Sequence, residues 1–213
     1  MLINVYKRRN FFALFSSFLF YITSKSNANA DETINSFVLE EALKPRYLGL
    51  IEAPLQMIEF VSLTCGHCAD FHLNTLPILK EKYIEKGLLR LEMRDFPLDG
   101  LALRASAMAR LVPVNRYYKL IDILFKNQNN WTKSNPPLDE LKKIGRLAGL
   151  TSIQIDIAMD NMNLLEGIFK MRQLADKEWN IQSTPSFIIN NEIMLSGNLP
   201  IQKFEEAFSE YRS

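Results

Sequence analysis

The spacing of apolar residues predicts two strands separated by a helix in the first half of the chain. Residues 55–61, LQMIEFV, are apolar on both faces except at one glutamate, which predicts a buried central strand. Residues 88–96 alternate between apolar and charged side chains, which predicts a strand with one polar face. Residues 65–86 have helical spacing, but Pro77 is expected to break or kink this helix. We therefore expect a second helical segment that begins with Thr75 as its cap.

The middle of the chain predicts a block of helices. Between residues 101 and 179, apolar residues recur at helical spacing, and glycine, proline and threonine occupy positions typical of helix ends. None of these helices is apolar on all sides, so we expect them to pack together as one small helical subdomain. The predicted helices are residues 101–111, 115–127, 138–148, a short one capped by Thr151, and residues 164–179.

The pattern returns to that of strands after residue 180. The segments PSFIIN and EIMLSG predict two short strands, and the two asparagines between them suit a tight hairpin because asparagine tolerates a positive φ. Residues 200–211 predict a final amphipathic helix. This order implies a parallel crossover and an α/β fold, in which residues 31–100 and 180–213 form the core and residues 101–179 an insertion.

The first 30 residues have the pattern of a cleaved export signal. A basic start is followed by an apolar run at residues 11–22 and a polar stretch that ends in Ala28-Asn29-Ala30. The apolar run is shorter than the ~20 residues that span a bilayer, so a membrane anchor is the alternative rather than the main reading. Cleavage after about Ala30 would deliver the protein to an oxidising compartment. The basic pair before two phenylalanines also resembles a twin-arginine signal, so the export route stays open.

Charge and length narrow the class of protein. The net charge is +1, and removal of residues 1–30, which hold four basic and no acidic residues, would leave −3. This balance lacks the concentration of basic residues found in nucleic-acid-binding proteins, so we expect no nucleic-acid partner. The remaining length suits one domain with an insertion and is enough to bury a sizeable core.

The candidate chemistry lies in one short segment. Both cysteines of the chain, Cys65 and Cys68, occur in SLTCGHCADFH, residues 62–72, directly after the predicted central strand. A disulfide across so short a loop would stabilise the fold little. A C-x-x-C pair where a strand enters a helix indicates a redox pair instead. Cys65 would lie at the helix N-terminus, where backbone N–H groups favour the nucleophilic thiolate, and the more shielded Cys68 suits the resolving role.

Two further residues are candidates for tuning this pair. His67 lies between the cysteines, where an imidazole can stabilise the thiolate, although a solvated surface histidine is the alternative. Glu59 is the lone carboxylate of an apolar strand six residues before Cys65, and could exchange a proton with Cys68. The alternative is a glutamate at a strand edge that reaches solvent.

The segment STPSF, residues 183–187, is a second candidate site. Thr184-Pro185 precedes the strand that returns to the sheet. A proline is tolerated at the start of a strand, but this X-Pro bond also suits a cis peptide.

A metal site is an alternative from another functional class. Cys65, Cys68 and His72 offer soft ligands for Cu or Zn, as in a metallochaperone, but the set lacks a fourth ligand. A binding module or holdase without redox chemistry is a third reading. We expect His72 to be a structural residue, because a lone helical histidine usually serves packing or capping.

Together these motifs resemble the DsbA-type periplasmic thiol-disulfide oxidoreductases, in the branch seen in exported alphaproteobacterial proteins. The resemblance rests on MIEFVSLTCGHCADFH, RDFPLDGLALRASAMAR, STPSFIIN and LSG, in that order, and covers nearly all of residues 47–210. It implies a thioredoxin fold with an inserted helical subdomain. It further implies Cys65 as the nucleophile, Cys68 as the resolving thiol, Glu59 as the buried strand acid, and Thr184-Pro185 as a cis-proline loop that binds substrate backbone.

The resemblance also implies partners and a reaction. The protein would introduce disulfides into reduced, cysteine-containing exported proteins in the periplasm, with the Cys65–Cys68 disulfide as its only redox centre and no bound cofactor or metal. A quinone-linked membrane protein of the DsbB type would reoxidise it, and nothing resembles a dimerisation domain, so a monomer is expected. Gly66-His67 resembles the dipeptide of disulfide isomerases, and Thr184 stands where the enteric oxidase has valine. Isomerase or reductase activity therefore remains the alternative.

Overall fold

The structure is a computed structural model that describes residues 38–211. The predicted export signal, residues 1–30, lies outside the described residues. Among the described residues, no helix is both long and apolar enough to cross a membrane.

The framework is a mixed sheet whose strands come from both ends of the described chain. Within residues 38–211 the sheet has five strands in the order β1-β3-β2-β4-β5. The central strands β2 and β3 are parallel, as the predicted crossover requires, and every other neighbouring pair is antiparallel. The strands are β1 Arg46–Leu48, β2 Leu55–Val61, β3 Leu89–Asp95, β4 Ser186–Ile189 and β5 Ile193–Ser196.

The long helix that follows β2, α1, spans residues 66–84 without a break. It alternates between α-helical segments, Gly66–Asp70 and Leu76–Leu79, and π-helical segments, Phe71–Thr75 and Lys80–Ile84. The expected break at Pro77 is therefore wrong. A proline lacks the N–H of a normal helical bond, and the preceding wider turn, in which the Leu76 N–H donates to the Phe71 carbonyl, accommodates it.

The expected capping role of Thr75 is also wrong, since its side chain makes no cap bond and instead donates to the Leu199 carbonyl.

Six further helices within the described chain separate β3 from β4, and one follows β5. Asp99 caps the first of them and Thr151 forms the expected capping box on another. These six helices form the helical part of the fold between β3 and β4. The bounds of the insertion, residues 101–179, stay a prediction. The helices are α2 Gly100–Arg110, α3 Val114–Lys126, α4 Gln128–Lys133, α5 Pro137–Leu147, α6 Ser152–Asp160, α7 Met162–Trp179 and α8 Ile201–Ser209. The short α4 and β1 were not predicted from the spacing of apolar residues.

Apolar side chains cover both faces of the sheet. On one face, Leu55 and Met57 of β2 pack with residues of α1 and α8. On the other face, Ile58 and Phe60 pack toward Ala175 of α7. This alternation follows from the pleat, which turns successive side chains to opposite faces. The same alternation places residue 59 on the face of the sheet that α1 covers.

A buried ion pair joins the helical part to the sheet. Arg110, at the end of α2, donates to Asp95, at the end of β3, and both side chains are almost fully buried. The Arg110 guanidinium also donates to the carbonyls of Ala42 and Lys44. Since a buried charge is stable only when it is paired and hydrogen-bonded, these contacts fix α2 against the carboxyl end of the parallel strands.

Candidate active site

Cys65 lies at the junction between β2 and α1. The strand ends at Val61, and Cys65 has an extended backbone conformation as the N-cap residue of the helix that begins at Gly66. Its carbonyl accepts the first helical bond, from the Ala69 N–H, and its side chain is half-buried. Both cysteines are present as free thiols. This position gives the Cys65 sulfur access to solvent and to the N–H groups of the first helical turn.

The surroundings of Cys65 favour its thiolate. They lower the pKa of Cys65 from 9.0 to about 5. The largest cause is a hydrogen bond with the Cys68 thiol, and the Thr184 side chain and the backbone N–H groups of Cys68 and His67 add to it, while partial burial opposes them. A thiolate that forms below neutral pH is the attacking species in disulfide exchange and a good leaving group.

The loop that holds Thr184 and Pro185 faces this sulfur. The peptide bond between these two residues is cis, which is the second of the two readings of the sequence. The Cys65 thiol donates to the Thr184 carbonyl, with 3.2 Å between sulfur and oxygen. The Thr184 hydroxyl is buried and has no other hydrogen-bond partner in the described part of the chain, so it can donate to the sulfur once the thiol has ionised.

Cys68 is held in the opposite protonation state. It is fully buried, one helical turn after Cys65. Burial is the main cause that raises the pKa of Cys68, and the hydrogen bond with Cys65 and the charge of Glu59 raise it further. The two thiols are therefore not equivalent, since one ionises readily at an accessible position and the other keeps its proton in the interior.

His67 is exposed at the start of α1. The contribution of this residue to the lowered pKa of Cys65 comes from its backbone N–H. A role for the imidazole itself stays a prediction.

Glu59 is buried, and its carboxylate is bonded to His72. Its exposed fraction is 0%, so the reading of a strand-edge glutamate that reaches solvent is wrong. The Nε2 atom of His72 lies 3.0 Å from both carboxylate oxygens. The sequence predicted a packing or capping role for His72 and gave no signal of this contact, because nothing local relates the two residues.

The same contact bears on the metal alternative. It commits the Nε2 atom of His72 to Glu59 rather than to a site beside the thiols. Within the described residues, no cluster of three or more histidine, cysteine or acidic side chains is arranged to hold a metal ion.

Gln128 is a second residue that the sequence analysis missed. It lies on α4 with only 8% of its surface exposed, and its side-chain amide donates to the carbonyls of both Leu63 and Cys65, each at 2.9 Å. On the other side of the same loop, Thr64 donates to Asp99, the cap of α2, at 2.7 Å. The helical part of the molecule therefore holds the loop that carries the nucleophile from two sides.

Comparisons with known proteins agree on the family and the fold. The family model described as thioredoxin matches residues 41–209. A Rickettsia bellii protein named "Putative protein-disulfide oxidoreductase" is 31% identical over 144 residues, which are 67% of this chain and 56% of that protein. The crystal structure of Wolbachia pipientis alpha-DsbA1 superposes with a TM-score of 0.73 at 28% identity and covers 79% of this chain and 90% of that one.

More distant relatives carry similar names. A Bacillus cereus protein named "Probable disulfide bond formation protein D" is 26% identical over 152 residues, which are 68% of this chain and 70% of that protein. The chain spans about half the length of the Rickettsia relatives that it matches, 56% and 53% in two cases.

Proposed function

The chain belongs to the thioredoxin family, and from this premise we propose that it is a DsbA-like thiol-disulfide oxidoreductase that introduces disulfides into exported proteins. The observation that carries the proposal is the pair of unequal thiols, with the pKa of accessible Cys65 lowered to about 5 and that of buried Cys68 raised. Stabilising the thiolate stabilises the reduced pair, and this makes the disulfide a stronger oxidant.

The reaction begins with the oxidised pair. A substrate thiolate attacks the Cys65 sulfur, the Cys65–Cys68 bond breaks, and Cys68 leaves with the bonding electrons and takes up a proton. A second substrate thiolate then attacks the substrate sulfur of the mixed disulfide. The substrate disulfide forms and Cys65 leaves as a thiolate, so two electrons have passed from the substrate to the cysteine pair.

The Thr184 loop would orient the substrate in this reaction. Its backbone lies beside the Cys65 sulfur, so an extended substrate segment could pair with it in the manner of an added strand. Such pairing uses main-chain groups and does not require a particular substrate sequence, which suits an enzyme that acts on many reduced, cysteine-containing exported proteins.

The remaining parts of the proposal concern the setting of the reaction. We place the protein in the periplasm, after cleavage of the signal at about Ala30 or, as the alternative, held there by an uncleaved anchor. Regeneration of the disulfide would need an oxidant, and a quinone-linked membrane protein of the DsbB type fits the family resemblance. The protein would act as a monomer without a bound cofactor or metal.

Two measurements test this function. The oxidised protein should oxidise a reduced model protein in stoichiometric amount, Cys65→Ser should abolish the reaction, and Cys68→Ser should accumulate a mixed disulfide with the substrate. Full activity of the Cys65→Ser variant would refute the proposal.

The reduction potential separates an oxidase from the alternatives. Equilibration with glutathione should give a potential less negative than about −180 mV, the value of protein disulfide isomerase, whereas about −270 mV, that of thioredoxin, would indicate a reductase.

A further inference from the structure

Glu59 of β2 and His72 of α1 form a buried pair between the sheet and the helix that follows Cys65. The exposed fractions of the two side chains are 0% and 1%, and the Nε2 atom of His72 is equidistant, at 3.0 Å, from the two carboxylate oxygens. Because both oxygens accept from one nitrogen, the contact fixes the direction of the carboxylate as well as its position.

The residues directly opposite Glu59 in the two flanking strands are apolar. In the register of the sheet, Glu59 lies opposite Met93 of β3 and Phe187 of β4. A carboxylate that is buried among apolar side chains is stable in its ionised form only if another group pairs with it. In the described part of the chain, the hydrogen bonds of the Glu59 carboxylate come from His72.

Packing holds the imidazole of His72 in place. The ring of Phe125, on α3, stacks on it at 4.4 Å between centroids, and the edge of Phe71 meets it at 5.6 Å. The wide turn of the π-helical segment Phe71–Thr75 carries the histidine. With Nε2 directed at the carboxylate, Nδ1 is buried without a hydrogen-bond partner among the described residues.

The charge of Glu59 acts on the resolving cysteine. It is one of the causes that raise the pKa of Cys68, after burial and the hydrogen bond with Cys65. The charge of Glu59 also acts on Tyr117 and Tyr118 of α3. Burial raises the pKa of both phenols, so they stay neutral over the range in which the thiols react.

We propose that His72 is a positioning residue for the redox reaction, which holds the Glu59 side chain in place so that its carboxyl group exchanges a proton with Cys68. The inference rests on the proposed function. When a substrate thiolate opens the disulfide, the Cys68 sulfur leaves with the electron pair and receives the proton of the neutral Glu59 carboxyl group, which stays paired with His72 as a carboxylate. When the disulfide closes again, Glu59 takes the proton back, the Cys68 sulfur attacks the Cys65 sulfur, and the thiol bound to Cys65 leaves with the electrons of the broken bond.

The closing step can be measured alone. A mixed disulfide of Cys65 with glutathione releases glutathione when Cys68 attacks, and the release rate is followed between pH 5 and 9. His72→Leu should slow release by about tenfold or more, since positioned acid–base groups commonly contribute 10²–10⁴-fold. His72→Gln, whose amide can still donate to the carboxylate, should restore most of the rate at neutral pH but alter the pH profile.

A double variant shows whether His72 acts through Glu59. Glu59→Gln should slow release, and adding His72→Leu to it should cause no further slowing. The inference would be overturned if the double variant slowed release by the product of the two single effects. It would also be overturned if a folded His72→Leu variant released glutathione at the native rate throughout the pH range.

Nuclear magnetic resonance gives a second readout that does not require His72→Leu to fold. The chain has two histidines, so the ¹⁵N shifts of His67 and His72 are easily assigned. Glu59→Gln should change the titration of His72 and leave that of His67 unchanged, and identical titration of His72 in both proteins would contradict the pairing. If the native protein did not oxidise thiols, the proposed function itself would be refuted. If the native protein oxidised thiols and the His72 variants released glutathione at the native rate, only this inference would be refuted.

Discussion

At the scale of single residues, the reactivity of the site comes from the difference between two cysteines that are three positions apart. Cys65 caps the helix and faces Thr184, whereas Cys68 is fully buried on the inner side of the same turn. A hydrogen bond between the thiols is the largest cause that lowers the pKa of Cys65. Burial is the largest cause that raises the pKa of Cys68, and the same hydrogen bond adds to it. These surroundings therefore favour an ionised Cys65 and a protonated Cys68.

Thr184 provides the clearest test at this scale. Thr184→Val removes the hydroxyl that favours the Cys65 thiolate but keeps the carbonyl that faces it, so the pKa of Cys65 should rise. A single hydrogen bond contributes about 1 kcal/mol, which corresponds to a roughly fivefold change in the ionisation constant. A pH titration of the thiolate absorbance measures the shift.

Thr184→Ser is the matched control, because it keeps a hydroxyl at the same position and should ionise like the native protein. An equal titration midpoint for the valine and serine variants would show that the hydroxyl does not act on Cys65.

At the scale of secondary structure elements, the short helix α4 has an effect out of proportion to its length. Its first residue, Gln128, donates to two carbonyls of the loop that joins β2 to α1. The Cys65 carbonyl also accepts a hydrogen bond from the Ala69 N–H. The inserted helices therefore hold the backbone at Cys65 in addition to covering the sheet.

Gln128→Leu tests this connection. The substitution keeps a side chain of similar size but removes both donors, which should cost about 1–3 kcal/mol of unfolding free energy for a buried carbonyl left without its partner. The amides of residues 62–65 should also exchange with solvent faster. Denaturant unfolding and hydrogen exchange measure the two effects.

Gln173→Leu on α7 is the control, since Gln173 is exposed and should tolerate the change within about 0.5 kcal/mol. Unchanged exchange at residues 62–65 in Gln128→Leu would contradict a role in holding the loop.

At the scale of the whole molecule, the redox state should change the stability of the fold. In the reduced protein, folding lowers the pKa of Cys65 to about 5, so the folded chain releases a proton that the unfolded chain retains up to about pH 8.5. The resulting stabilisation grows as the pH rises from about 5 to about 8.5 and is lost below about 5. Above that range the raised pKa of Cys68 acts in the opposite direction.

The difference in melting temperature between the reduced and oxidised proteins should therefore grow between pH 5 and 8, with the reduced protein melting higher at pH 8. The disulfide form has no thiol to ionise, so it lacks this dependence. Calorimetry of both forms at several pH values measures the difference. The Cys65→Ser variant cannot form the disulfide, and its melting temperature should lack the pH-dependent stabilisation of the reduced native protein. A difference between the reduced and oxidised native forms that stays constant with pH would contradict the stabilised thiolate.

The sequence by itself determined the features that depend on neighbouring residues. The apolar run of β2 matched its predicted bounds, residues 55–61, and the alternation at residues 88–96 gave β3 to within one residue at each end. The adjacent positive-φ residues Asn190 and Asn191 were expected for the hairpin. The C-x-x-C segment after a buried strand also predicted that Cys65 lies at the start of the helix and Cys68 in its first turn, because strand, motif and helix start are consecutive in the sequence.

Only the tertiary structure decided how the site is assembled. The contact of Glu59 with His72 joins residues 13 positions apart, and those of Cys65 with Gln128 and Thr184 join residues 63 and 119 positions apart. Such contacts leave no local periodicity, since they depend on how strands and helices pack and not on the spacing within either. The conformation around Pro77 also could not be predicted from local spacing. The wide turn that accommodates Pro77 carries His72, which contacts Glu59. This contact exists only because the helix packs on the sheet.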